Sequence, residues 1–368
     1  MSAVRVGIIG AGNVLWAYLQ ALDRLIPRGL ACAGPVCARR RENWKQLQLR
    51  RPGIELVAEA DAVLRSNVDV VVIITPPESH ATLVRQALEN DKHVVVEKPA
   101  AGSRCEAETL VEIAQNRRLH LMCAPFVHLA PTFRAFWKRI HDGAVGRPHS
   151  ARGLYGNAGS TWARWYHDGK VGPLAEIGIY NLKSLTAILG PVVEVMAAQT
   201  TAVGQRQIGN EVLEAPGVDV SHVLLRHEQG ALSSIVASHA IQGYQRPALE
   251  VYGTEGTANL LGDDWDPRGF EIWRNQVGSW EKFDAIEPTW LWTDGLTEMV
   301  TSLWQDRAPL HNLQQDLHLL EVIDACEKSS REKRAICVTS RFLPIDLGLE
   351  ERADRHHLHD HTRPADEQ

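Results

Sequence analysis

Val4-Arg5-Val6-Gly7-Ile8-Ile9-Gly10-Ala11-Gly12-Asn13-Val14-Leu15 is an apolar run that breaks on two glycines one residue apart. Its first six residues read as a strand, and a helical pattern carried by Leu19, Leu22 and Leu25 follows the break. Strand, glycine turn and helix together form the opening unit of a doubly wound parallel sheet. Gly10 permits the tight turn and Gly12 lets backbone N–H groups approach a pyrophosphate. The helix N-terminus beside Asn13 and Val14 then faces that anion with its dipole. Leu15 stands where the third glycine of the G-x-G-x-x-G pattern would be, so a looser helix–strand contact is expected with both phosphate-facing glycines kept.

Working outward, residues 30–38 read as the second strand, ending in Ala38-Arg39-Arg40-Arg41. An acid at that strand end would hold a ribose 2'-hydroxyl, whereas an arginine there accommodates a 2'-phosphate. Ala38, Arg39 and Arg40 therefore favour NADP, with NAD as the alternative. A strand at 54–57 follows, and then an apolar run at 68–74 that ends in Thr75-Pro76-Pro77-Glu78-Ser79-His80. This loop lies at a carboxyl strand end and is expected to close over the dinucleotide. Glu78 or Ser79 would start the next helix, and His80 would pack or cap locally. Lys92-His93-Val94-Val95-Val96-Glu97-Lys98-Pro99 is a fifth buried strand ending in an acid, a base and a proline. Lys98 is thus expected at a strand tip, where open α/β sheets bind their ligands. A helix at 103–116 and a strand at 119–123 complete six strands alternating with helices.

The chain has 368 residues, more than a single core supports, so two domains are expected. A net charge of -6 gives no basic footprint for nucleic acid or an anionic membrane, and a small-molecule partner is the expectation. The six cysteines are scattered without C-x-x-C or metal spacing. The N-terminus enters a strand without an apolar leader, and no apolar run is long enough to span a bilayer. The sequence thus reads as a cytoplasmic protein that binds no metal.

The order of the glycine turn, the strand ending in Thr-Pro-Pro-x-x-x-His and the strand ending in Glu-Lys-Pro resembles the Gfo/Idh/MocA family of NAD(P)-dependent oxidoreductases. The likeness continues through Gly143-Ala144-Val145-Gly146, Gly172-Pro173-Leu174-Ala175-Glu176-Ile177-Gly178-Ile179-Tyr180 and Leu249-Glu250-Val251-Tyr252-Gly253-Thr254-Glu255-Gly256. The resemblance implies a Rossmann domain over residues 1–124, then an α/β domain over 125–348 with a large open, mainly antiparallel sheet; a polar tail at 349–368 is expected to be disordered. It also implies a homodimer or homotetramer assembled through that sheet. The second half supports this on its own patterning. Residues 218–226 and 231–239 alternate around a short polar connection, residues 249–252 and 257–261 flank a Gly-Thr-Glu-Gly turn, and helices follow at 290–305 and 314–329.

Between Gly172 and Gly190 the apolar residues recur at helical spacing, which puts Glu176 and Tyr180 one turn apart on one face. Many members of the family carry Asp and His at the equivalent positions. This sequence follows the tyrosine variant of the dihydrodiol dehydrogenase-like and glucose-fructose oxidoreductase-like members, with Glu176 for Asp and Asn181 for the acid that often follows. Hydride transfer to or from a carbon bearing oxygen needs a group to handle the hydroxyl proton. Lys98, Tyr180 and Glu176 are the candidate catalytic residues: Tyr180 is the expected carrier, its phenol pKa lowered by the Lys98 ammonium, and Glu176 is either catalytic itself or only an orienting group. Cofactor contacts are expected from Gly10, Gly12, Asn13, Val14, Ala38, Arg39, Arg40, Thr75, Pro76, Pro77, His80, Glu97 and Lys98. Asn157, Trp162, Trp165, Tyr166, His167 and His239 are candidates for lining a substrate cleft. The activity so implied is NADP-dependent oxidoreduction of a sugar, cyclitol or related polyol; the alternatives are a non-catalytic NAD(P)-binding sensor and an NAD-dependent glycosidase.

Overall fold

A computed structural model describes residues 2–161, 164–344 and 346–347, so Trp162 and the tail at 349–368 lie outside the described residues. β1 (Val4–Ile9), β2 (Ala31–Cys37), β3 (Leu56–Val57), β4 (Val70–Ile73), β5 (His93–Val96) and β6 (Leu121–Cys123) form one parallel sheet in the order β3-β2-β1-β4-β5-β6. The helices between them are α1 (Leu15–Leu25), α2 (Trp44–Arg50), α3 (Ala60–Leu64), α4 (His80–Glu89) and α5 (Arg104–Asn116). Strand order reverses between β1 and β4, and the crevice at their carboxyl ends is where such sheets take ligands. The valine runs are buried because both faces are covered. Along β4, Val70 and Val72 pack in the layer of Leu15, Tyr18 and Leu22, while Val71 and Ile73 pack with Val84, Leu88 and Leu110.

Two local expectations are corrected. The third strand is only two residues long. Ser79 occupies the N-cap of α4 without capping it; its hydroxyl donates instead to Thr75 Oγ1 at 2.7 Å and ties the loop. Ser103 does cap α5, accepting the Glu106 N–H at 3.3 Å.

The second half holds α6 (Pro131–His141), β7 (Pro148–Gly156), a π-helical turn at Leu174–Gly178 that runs straight into α7 (Ile179–Leu189), and β8 (Val192–Thr200). The hairpin β9 (Gln205–Ile208) and β10 (Glu211–Glu214) follows. Next come β11 (Val220–His227), β12 (Leu232–Ser238), β13 (Leu249–Gly253), β14 (Gly256–Asp263), β15 (Asp266–Arg274) and β16 (Trp280–Asp284). The chain ends in α8 (Gly295–Trp304), α9 (Leu313–Glu332) and β17 (Ile336–Cys337). Nine strands form a sheet in the order β16-β15-β14-β13-β7-β12-β11-β8-β17, antiparallel throughout except for β7 beside β12. Both hairpins read from the sequence, one from alternation and one from its turn, are present, as β11/β12 and β13/β14.

One face of this sheet is covered by α6, α7 and α9 through Phe133, Phe136, Leu182, Leu185, Leu319 and Val322. The other carries exposed Met196, Leu224 and Leu232. α8 returns to the first sheet, where Leu296, Met299 and Val300 join the layer of α1. Among the described residues no helix is long and apolar enough to cross a membrane.

Candidate active site

The glycine turn is built by close approach. Gly10 has φ +117°, and a Cβ there would lie 2.8 Å from the Ile74 carbonyl oxygen, so the β1 exit tolerates only glycine. A Cβ on Gly12 would meet nothing within 4 Å, which leaves open space above the first turn of α1, where a pyrophosphate fits. At the end of β2, Ala38 is buried and its carbonyl accepts the Trp44 Nε1–H at 2.7 Å. Arg39 and Arg40 stand exposed beside it. His80, placed with the cofactor residues by its sequence position, is buried with its ring nitrogens 2.7 Å from the Thr75 carbonyl oxygen and 2.8 Å from that of Pro99. It clamps the loop after β4 to the loop after β5. Desolvation pulls its pKa below the ordinary value.

Lys98 emerges at the end of β5, and its Nζ donates to Glu176 Oε1 at 2.6 Å, with 11% of each side chain exposed. Beside it, Glu97 accepts the Tyr18 hydroxyl at 3.0 Å. Glu176 comes from the π-helical turn, which replaces the first turn of the expected continuous α-helix; such wide turns recur at functional sites. Gly178 lets this turn press on β12, since a Cβ there would lie 2.8 Å from the Ala237 Cβ. Burial pushes the Glu176 carboxyl above its ordinary pKa, against the pull of Lys98.

The expected partnership of Lys98 with the Tyr180 hydroxyl is corrected by this geometry. The ammonium lies 5.7 Å from the Tyr180 ring centroid, over the ring, while its hydrogen bond goes to Glu176. Burial, then Glu97, Tyr155 and Glu176, raise the phenol pKa well above its ordinary value, so Tyr180 stays a neutral phenol. Its ring packs edge-on against Tyr155, at 6.0 Å between centroids. The next residue, Asn181, donates to buried Asp264 at 2.8 Å, and desolvation pushes that carboxyl up to about 7.

The five described candidates for the substrate cleft pack together, close enough to Lys98 for its charge to act on His239. Tyr166 packs 4.2 Å from His239 between ring centroids, His167 lies edge-on to His239 at 6.4 Å, and Asn157 Oδ1 is 3.3 Å from His239 Nδ1. Trp165 packs edge-on against Tyr166 at 5.3 Å. Burial and the nearby Glu176 carboxylate raise the Tyr166 phenol pKa. Arg206, Asp219 and Tyr18 escaped the sequence reading. Arg206 donates to Asp219 at 2.8 Å and to the Ala158 carbonyl at 2.7 Å, so this buried pair props the loop that carries Asn157. No motif marks it: Arg206 is an inward-facing residue of β9 and Asp219 lies directly before β11. Among the described residues no group of three or more His, Cys, Asp or Glu side chains is placed to hold a metal ion.

Residues 4–124 match the family model described as "Oxidoreductase family, NAD-binding Rossmann fold", and residues 133–259 match the GFO/IDH/MocA C-terminal domain. The chain is an oxidoreductase of the Gfo/Idh/MocA family. It is 29% identical over 198 residues to dTDP-3,4-didehydro-2,6-dideoxy-alpha-D-glucose 3-reductase of Actinomadura kijaniata, a match that covers 53% of this chain and 59% of that one. It is 26% identical over 269 residues to trans-1,2-dihydrobenzene-1,2-diol dehydrogenase of Sus scrofa, covering 72% of this chain and 76% of the other. The fold is similar to that of levoglucosan dehydrogenase in complex with NADH and L-sorbose, with a TM-score of 0.81 at 19% identity over 92% of this chain and 100% of that one.

Proposed function

We propose that this protein is an NADP-dependent oxidoreductase that moves a hydride between the nicotinamide and the hydroxyl-bearing carbon of a sugar, cyclitol or related polyol. The observation that carries the reading is the Lys98 ammonium at the tip of β5, held by Glu176 from the other domain at 2.6 Å across the crevice. Relatives named for sugar and diol substrates agree with it. The bound nicotinamide would supply or accept the hydride. Lys98 donates a hydrogen bond to the reacting oxygen, which polarises a carbonyl on reduction and steadies an alkoxide on oxidation. On oxidation Glu176 takes a proton from the Lys98 ammonium and the amine so formed takes the hydroxyl proton; on reduction the ammonium gives its proton to the oxygen and Glu176 returns one to Lys98. Tyr180 forms a neutral phenol wall beside the pair.

Gly10, Gly12, Asn13 and Val14 are the residues that would receive the pyrophosphate, with Thr75, Pro76 and Pro77 closing over it and Glu97 fixing the base of Lys98. The exposed guanidinium groups of Arg39 and Arg40 beside small Ala38 favour a 2'-phosphate over a bare hydroxyl. Titration of both nucleotides at matched salt is expected to give tighter NADP(H) binding, and Ala38→Asp is expected to move the preference to NAD(H) by about tenfold or more. Tighter NAD(H) binding by the unaltered protein refutes the NADP assignment. Reduction of a panel of aldoses, ketoses and diketones tests the reaction itself. The same proposal takes the open face of the large sheet, where Met196 stands opposite Leu224 in register, as the contact between copies in a homodimer or homotetramer.

A further inference from the structure

His239 follows β12 directly and is 1% exposed. Its backbone N–H donates to the Asp219 carbonyl at 2.8 Å, and its ring lies against Tyr166. The protonation of that ring follows from its neighbours. Asn157 Oδ1 receives the Gly159 backbone N–H at 2.9 Å, and only an oxygen accepts there, so this end of the amide is the carbonyl. The same oxygen lies 3.3 Å from His239 Nδ1, which must therefore carry the hydrogen. The Asn157 amide nitrogen remains for the Tyr166 hydroxyl, to which Asn157 is also bonded. Burial, followed by His167, Arg206 and Lys98, holds the His239 ring neutral, with its pKa lowered to about 3. A neutral imidazole with hydrogen on Nδ1 has a bare lone pair on Nε2. Among the described residues that Nε2 is buried and has no hydrogen-bond partner.

An unpartnered buried acceptor is unfavourable in a folded protein, and here it belongs to a ring on which the charges of Lys98 and Arg206 both act. The missing partner is a donor. The positive charges of Lys98 and Arg206 near the ring disfavour an ammonium group and favour a neutral donor, which on a polyol is a hydroxyl. We propose that His239 Nε2 accepts a hydrogen bond from a substrate hydroxyl other than the one that reacts at Lys98, so that the protein selects polyhydroxylated substrates over their deoxy analogues. The inference rests on the proposed oxidoreduction of a polyol and names the second hydroxyl as a recognition element. Asn157 is the positioning residue that fixes the His239 tautomer, and Arg206 with Asp219 holds the loop that carries Asn157.

The premise is tested by ¹⁵N NMR of the imidazole nitrogens in the full-length protein, with His239 assigned by loss of its signals in His239→Phe. Hydrogen on Nδ1 is the expected result, and hydrogen on Nε2 or a charged ring at neutral pH overturns the inference. Recognition is tested with D-glucose, D-xylose, L-sorbose and myo-inositol and, for each probe that is turned over, its set of monodeoxy analogues. In the wild-type protein one deoxy position is expected to lower kcat/KM by about ten- to a hundredfold, because the analogue leaves Nε2 unpaired. His239→Phe, which keeps a ring but removes the acceptor, is expected to lose activity on the parent probe and to erase that difference. His239→Gln offers an amide oxygen and is expected to restore part of it. Equal losses on every analogue, or an unchanged difference in a folded His239→Phe protein, refute the inference while the oxidoreductase reading stands. A wild-type protein that binds nucleotide and turns over no probe removes the reading and the inference with it.

Discussion

Two lysine–carboxylate pairs lie within seven residues of each other on the π-turn and α7, and their carboxylates behave oppositely. In the cleft, Lys98 meets Glu176, and burial outweighs the single ammonium so that the carboxyl pKa rises. Behind it, fully buried Lys183 meets Asp316 of α9, whose other oxygen lies 2.5 Å from His311 Nε2. There burial again pushes the carboxyl up, but His311 and Lys183 together outweigh it and hold the pKa below its ordinary value. With one partner the buried acid is pushed up; with two it is held down. The first arrangement suits proton chemistry. The second suits a fixed lock between α7, α9 and the end of β6.

The contrast breaks most visibly at the lysines. Lys98→Met is expected to lower kcat by about 10² to 10⁴ while the thermal midpoint stays near that of the wild type. A folded Lys98→Met protein with more than half the wild-type rate would end the assignment. Lys183→Met leaves Asp316 buried beside His311 alone, and a loss of about 3–5 kcal/mol in stability by urea denaturation is expected. Catalytic loss without destabilisation there would erase the distinction between the two pairs.

Smaller changes sharpen the comparison. Glu176→Gln keeps a hydrogen-bond acceptor for Lys98 and removes the proton carrier, with an expected loss of about 10- to 100-fold in kcat. Combined with Lys98→Met it should add little, since the two act as one unit. Tyr180→Phe should cost about tenfold or less, because the phenol is neutral and Lys98 stands over its ring. A pH–rate profile that loses a limb in Tyr180→Phe but not in Glu176→Gln would return the proton to the tyrosine.

Much of the cofactor half is legible in the residues, because its signals are local. A glycine pair after a strand, a Pro-Pro loop and a valine run closed by Glu-Lys-Pro each decide backbone form within a few positions. The hairpins at β11/β12 and β13/β14 are legible for the same reason, the first because burial alternates along β11 and the second because a Gly-Thr-Glu-Gly turn joins its strands. The strands β8, β15 and β16 carry weaker alternation, and their place at the flanks of the large sheet emerges only from packing.

By itself, then, the chain determined the doubly wound sheet, the strand tip that presents Lys98, and the presence of Glu176 and Tyr180 on one helical run. Only the tertiary structure decided which of the two Lys98 would hold. That contact spans 78 positions and depends on a π-turn pressed against β12 at Gly178, a geometry that helical periodicity cannot encode. It also decided the protonation of the site. The field at a buried acid or imidazole is the sum of burial and of charges from several elements, so the Tyr180 phenol and the Glu176 carboxyl are pushed up and the His239 ring is pushed down.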